Sequence, residues 1–238
     1  MRYFRADPQV WMKDGQSPVS EADLAVDARL RDILMSARPG YGWLSEETAD
    51  DPARLTCRRT FVVDPIDGTR AFIAGSRQWC VSIAIVEDGR AIVGVLDAPA
   101  KGGTYRASRG GGAWLADRAL RVAPERRPIR VAGPKAMIDR AEAATGLVFD
   151  RAGYVPSLAL RLAYVASGDI DAALVKVNAH DWDIAAADLL LEEAGGTLLD
   201  RAGARPHLAG ADPRLGELVA GGSAARTLLP TLAADMRQ

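Results

Sequence analysis

The sequence predicts an α/β chain in which a half rich in antiparallel strands packs on a smaller half of alternating strands and helices. Three observations carry this. Residues 81–86 and 91–96 are apolar runs joined by a short connection containing Asp88-Gly89, a strong hairpin signal. After Pro128, strand-like runs alternate with segments of helical periodicity, the pattern of an α/β unit. No repeat, low-complexity tract or flexible linker intervenes, so 1–127 and 128–238 are expected to share one continuous core.

The elements follow in order. Residues 20–37 read as a helix: Ser20 can cap it and Asp23 stands where a capping-box acid belongs. Leu24, Leu30, Ile33 and Leu34 recur at helical spacing, and Pro39-Gly40 stops the run. Residues 41–44 form a short strand leading into Glu46-Glu47, and 60–63 a β-branched and aromatic strand ending at Asp64-Pro65. Gly102-Gly103 and Gly110-Gly111-Gly112 punctuate short strands around 104–105 and 113–114. The second half reads as strand 129–132, helix 135–146, helix 157–167, strand 172–177, and helix 184–194 stopped by Gly195-Gly196. A strand begins at 197, and a helical tail from 224 is interrupted at Pro230.

Composition narrows the function. A formal net charge of -1 with dispersed arginines argues against a nucleic-acid polymer as partner, because a polyanion binder needs a clustered basic face. No run reaches the length of a membrane span, and residues 1–10 carry charges without an apolar core, so neither a membrane nor a secretory route is expected. Cys57 and Cys80 show no metal-ligand spacing and start no C-x5-R loop; two thiols in a reducing, cytoplasmic setting fit best.

The most informative stretch is Asp64-Pro65-Ile66-Asp67-Gly68-Thr69, directly after an apolar strand. Pro65 and Gly68 favour a tight turn that returns Asp67 to the side of Asp64 and leaves the Ile66 carbonyl free. Such hard oxygen donors suit Mg²⁺. An acidic surface turn would read the same way taken alone. Two further acidic signals count against that: Glu46-Glu47 behind their own strand, and Asp181-Trp182-Asp183 at the start of an apolar helix. Asp169-Ile170-Asp171 precedes a strand and reads as a capping turn, and His180 reads first as structural.

Leu44-Ser45-Glu46-Glu47, the Asp64–Thr69 motif, Trp182-Asp183 and Glu193-Ala194-Gly195-Gly196 resemble the inositol monophosphatase superfamily in order and spacing along almost the whole chain. The resemblance implies a layered α/β sandwich, an α+β arrangement acting as one catalytic unit. It also implies a Mg²⁺-dependent, often Li⁺-sensitive phosphomonoesterase acting on a small phosphorylated metabolite. Carried over residue by residue, it implies that Glu46, Asp64 and the Ile66 carbonyl hold one metal and Asp64, Asp67 and Asp183 a second, of two or three ions in all. Thr69 and Asp23 would help activate the attacking water, with Glu46 beside them, and Glu47 would act through bound water. Lys13 would stand on the rim, and the Gly68 and Thr69 amides would meet the phosphate. The resemblance further implies a homodimer.

Two departures sharpen the expectation. Inositol-selective members place a Glu shortly before the Trp-Asp pair, where this chain reads Val175-Lys176; Lys176 is a cation able to meet a second phosphate. Arg70 after the threonine leans toward the 3'(2'),5'-bisphosphate nucleotidase branch, with inositol monophosphate and histidinol phosphate as alternatives. A metal- or nucleotide-binding regulator on the same fold is the non-enzymatic reading; loss of a metal carboxylate or of Thr69 would favour it, and all are present. Residues 1–5 resemble the end of a longer helix, so a natural start upstream of Met1 is expected.

Overall fold

The computed structural model describes residues 1–13, 17–124 and 126–232. Residues 2–5 form turns, with the Phe4 and Ala6 amides donating to the Met1 and Tyr3 carbonyls, not the expected helix end. Left-handed backbone at Arg5 and Asp7, just before Pro8, is incompatible with helix there. β1 (Val10–Lys13) then pairs antiparallel with β2 (Ser17–Ser20), which feeds α1 (Glu21–Ala37).

A seven-stranded sheet follows in strict sequence order: β3 (Gly42–Ser45), β4 (Arg59–Asp67), and, after the short α2 (Thr69–Ile73), β5 (Cys80–Glu87) and β6 (Arg90–Ala98), which form the expected hairpin. β7 (Gly103–Ser108), β8 (Ala113–Leu115) and β9 (Arg118–Ala119) complete it. β3 runs parallel to β4, and every later neighbour is antiparallel.

The second half supplies β10 (Arg130–Ala132), α3 (Lys135–Thr145), β11 (Asp150–Arg151), α4 (Leu158–Ala166), β12 (Ala172–Val175) and β13 (Ala179–His180). α5 (Asp181–Glu193), β14 (Thr197–Asp200), β15 (Arg214–Leu215), β16 (Leu218–Gly221) and α6 (Ser223–Leu228) follow. A mixed five-stranded sheet takes the order β11-β10-β12-β16-β14, while β13 and β15 pair separately. A 3-10 turn containing Pro230 breaks the tail as expected; the rest of that predicted tail, 233–238, lies outside the described residues.

The elements stack in layers. α1 sets Leu30 and Leu34 against Trp43, Phe61 and Val63 on one face of the large sheet. α5 covers the other face and packs beside α4, which touches the small sheet. α3 and α6 cover that sheet's far side through Met137, Ile138, Ala141, Ala225 and Leu228. Residues 184–191 of α5 are buried without a break, which a helix tolerates only between two layers. Each leucine fully buried there contributes about 1.5–3 kcal/mol. Gly94 of β6 permits the close approach: a Cβ there would lie 2.7 Å from the Ala186 carbonyl oxygen. Among the described residues no helix is long and apolar enough to cross a membrane.

Candidate metal centre

β4 does not end at Asp64, as the proline suggests, but continues to Asp67 through a bulge. Asp64 pairs with Ser82 and Asp67 with Cys80, so three steps on β4 match two on β5. The extra residue re-aims the side chains that a plain strand would alternate. Pro65 is tolerated because the bulge interrupts the ladder, and the Asp64 carboxylate accepts the Ile66 amide at 2.9 Å. Gly68 then turns the chain into α2 at φ 95°. A side chain there would be strained, and its Cβ would sit 3.0 Å from the Gln78 carbonyl and 3.2 Å from the Ser157 Cβ.

Asp183 reaches the same place from α5, where it is the third helical residue and accepts the His180 amide at 2.7 Å. Asp64, Asp67 and Asp183 thus bring carboxylate oxygens within 4.8 Å of one another. All three carboxylates titrate above their ordinary range. Burial is the largest cause for each, with mutual repulsion and the charge of Glu46 adding to it; Asp67 is pushed up to about 6. A dication relieves that crowding, and two buried carboxylates, a half-buried third and a nearby carbonyl are a hard-oxygen donor set suited to Mg²⁺. The residues present fit the metal.

α4 supplies what sequence reading did not assign. Asp67 Oδ2 accepts the Ser157 hydroxyl at 2.6 Å and the Ala159 amide at 2.5 Å, and Oδ1 the Leu158 amide at 3.2 Å. Ser157 also caps its own helix by accepting the Leu160 amide at 3.1 Å. The only sequence signal was a serine at a helix start, which says nothing of a partner 90 residues away. Ser157→Ala should lower the Tm by about 2–6 °C through the lost cap and the Asp67 contact, checked by calorimetry.

Asp23, the acid of the α1 capping box, accepts the Ser20 amide at 2.8 Å and the Ser20 hydroxyl at 2.6 Å on Oδ2. Its other oxygen faces the Thr69 hydroxyl at 3.1 Å. Thr69 Oγ1 also lies 3.0 Å from the Ile66 carbonyl oxygen. The single hydroxyl proton is drawn to the charged acceptor, which leaves the Thr69 oxygen able to accept a hydrogen bond.

Glu46 and Glu47 stand to one side. Lys13 Nζ lies 3.3 Å from Glu46 Oε1 and 2.6 Å from Glu47 Oε1, so Glu46 is turned to the lysine and its oxygens are not among the converging three. Burial pushes Glu47 up to about 7, with Lys13 pulling it back. Burial opposes the charge on Lys13, but the two carboxylates outweigh it and raise its pKa. Asp27 of α1 accepts the Ser45 and Thr48 hydroxyls and so fixes the loop that carries the glutamates. His180 stacks on Trp182 at 4.5 Å. Asp171 accepts Arg126 and the Arg130 amide, and it is structural as expected.

Beside the carboxylates opens a cleft of about 870 Å³, with Asp67 and Asp183 at its floor and Lys176 on its wall. Arg70 and Arg161 also line it.

The inositol monophosphatase family pattern matches residues 2–238. The chain belongs to the inositol monophosphatase family. An inositol-1-monophosphatase of Mesorhizobium japonicum is 36% identical over 210 residues, covering 84% of this chain and 78% of the relative. A 3'(2'),5'-bisphosphate nucleotidase CysQ of Aggregatibacter actinomycetemcomitans is 31% identical, covering 83% of this chain and 77% of the relative. The extragenic suppressor protein suhB of Bartonella henselae, a crystal structure, superposes with a TM-score of 0.83 at 29% identity, covering 97% of this chain and 90% of that one. The family therefore fixes the layered sandwich, while the names of its members divide over the substrate.

Proposed function

We propose that the protein is a Mg²⁺-dependent phosphomonoesterase of small phosphorylated metabolites, with 3'(2'),5'-bisphosphate nucleotides as the preferred class. The observation that carries this is the Asp23–Thr69 hydrogen bond set beside three converging carboxylates. Asp64, Asp67 and Asp183, with Glu46 and the Ile66 carbonyl, would hold two or three ions. Bound there, Mg²⁺ supplies charge neutralisation of the phosphate, a lowered water pKa and stabilisation of the leaving oxygen.

The chain's own residues do the rest. Asp23 orients the Thr69 hydroxyl so that its lone pair accepts a hydrogen bond from the attacking water and holds it in line; as the water gives up its proton to Thr69, the threonine's own proton passes to the Asp23 carboxylate. Gly68 and Thr69 offer amides to the phosphate, a role that falls to the individual N–H groups because α2 has only five residues. Lys13 holds Glu46 and Glu47 in place, and Glu46 would have to turn from it to serve as a metal ligand. Lys176 and the largely exposed Tyr154 ring on the cleft wall suit a charged, aromatic substrate better than a bare polyol. Residues 1–127 and 128–238 act as one catalytic unit in a cytoplasmic homodimer.

The test is Mg²⁺-dependent phosphate release from adenosine 3',5'-bisphosphate, inositol 1-phosphate and histidinol phosphate. Release from the bisphosphate with the highest kcat/KM supports the reading. Release from none of them favours the regulator. Thr69→Ala should lower kcat by roughly 10²–10⁴-fold with little change in KM, since the hydroxyl acts on the water and not on the substrate.

A further inference from the structure

Among the described residues, neither Arg161 nor Lys176 of the cleft has a carboxylate partner, and Arg161 is the one that reaches into the fold. The others on that wall that the structure pairs are committed: Arg151 to Asp139 and Glu142, and Lys135 to Asp139 at 3.5 Å. Arg161 makes one long hydrogen bond, Nη1 to the Leu174 carbonyl at 3.4 Å, and its buried Nε finds no protein acceptor among the described residues. A half-buried guanidinium whose Nε edge is held out of water without an acceptor is costly unless it meets an anion, and its planar fork matches a phosphate in a two-pronged contact.

Its position defines where that anion sits. Leu158 and Ala159 clamp the metal-site Asp67, and Arg161 follows them on the same helix, about 3–5 Å further along its axis. Burial lowers the Arg161 pKa, and the charge that chiefly opposes this is Asp67. The cleft confirms the polarity: five cations line it, Arg70, Lys135, Arg151, Arg161 and Lys176, against the two carboxylates of the metal cluster.

We infer that Arg161 anchors a second phosphoryl group of the substrate, one that is not hydrolysed, about one helical turn from the scissile phosphate. Arg161 is a specificity residue, and this assignment rests on the phosphomonoesterase reading. A monophosphate lacks the group it binds. In a bisphosphate the anchored phosphoryl group fixes which ester reaches the metals.

The experiment compares kcat/KM for adenosine 3',5'-bisphosphate with that for adenosine 3'-monophosphate, and for fructose 1,6-bisphosphate with that for fructose 1-phosphate. A bisphosphate preference of tenfold or more in either pair is expected, the pair telling nucleotide from sugar. In Arg161→Gln that ratio should fall by about 10- to 100-fold, with Arg161→Lys between. Calorimetry adds a readout free of turnover. With Mg²⁺ and saturating inorganic phosphate filling the scissile site, adenosine 5'-monophosphate should bind the parent at least tenfold more tightly than it binds Arg161→Gln. A ratio near one in the parent, equal losses on both members of a pair, or equal binding to parent and variant overturns the inference. Phosphate release from monophosphates without that preference leaves the phosphomonoesterase reading standing; no release from any ester sinks the latter instead.

Discussion

Replacing Asp64 with Asn should lower Mg²⁺-dependent phosphate release at least about 10³-fold and at the same time raise the Tm of the metal-free protein by a few degrees. The two effects have one cause. Asp64 is 2% exposed, and burial raises its pKa before the charges of Glu46, Asp67, Asp183 and Asp23 raise it further. At neutral pH the folded chain either keeps that carboxylate charged against its neighbours or takes up a proton to hold it. Both options cost stability that the unfolded chain does not lose. Asn keeps the shape and still accepts the Ile66 amide, now 2.9 Å from the carboxylate, while removing the charge. On the proposed assignment it also removes a metal ligand, so the Tm increment that Mg²⁺ gives the parent should shrink or vanish. Activity equal to the parent's, or a fall in metal-free Tm, contradicts the assignment of Asp64.

The second large effect couples pH to metal. Burial leads the list of causes that push Asp67 up to about 6, Glu47 to about 7 and Asp181 to about 7, all above their unfolded values near 4. In the window between, the folded chain holds more protons than the unfolded one. The stabilisation is therefore complete below about pH 4 and is lost as pH rises through 6 and 7. Without metal, the contribution of these groups falls from pH 5 to pH 8, and the Tm should drop by on the order of 5–10 °C across that range. Mg²⁺ binds only the ionised carboxylates, so the Tm increment from saturating Mg²⁺ should grow from pH 5 to pH 8. Thermal scans in EDTA and in Mg²⁺ at both pH values check this. Equal increments would mean that the buried carboxylates are not where Mg²⁺ binds.

Much of the centre was legible because it is local. Ser20 with Asp23, the Asp64–Thr69 motif and Asp183 near the start of a buried helix are short-range patterns; the capping box and Asp183 lie on the helices their patterns named, while the Asp64 motif extends the strand it was expected to follow. What was not legible depends on distant packing. The bulge that turns Asp67 toward Asp64 is a register difference against β5, invisible within β4 alone. The α4 donors that fix Asp67 come from 90 to 92 residues downstream. Glu46 faces Lys13 because β1 brings that lysine 33 residues back onto it, a contact no spacing announces. Arg161 lies in an apolar helical run, where a lone arginine reads as an exposed face; its partial burial follows from α4 lying between α5 and the small sheet.

The central claim is that Asp64, Asp67 and Asp183 form a metal centre on which the chemistry depends. Anomalous diffraction from crystals soaked in Mn²⁺, as a stand-in for Mg²⁺, tests it most directly. At least one strong peak bounded by those three carboxylates, absent from Asp64→Asn crystals soaked alike, is the expected result. Peaks confined to other acidic surfaces, or none beside Asp64 in the parent, would contradict it.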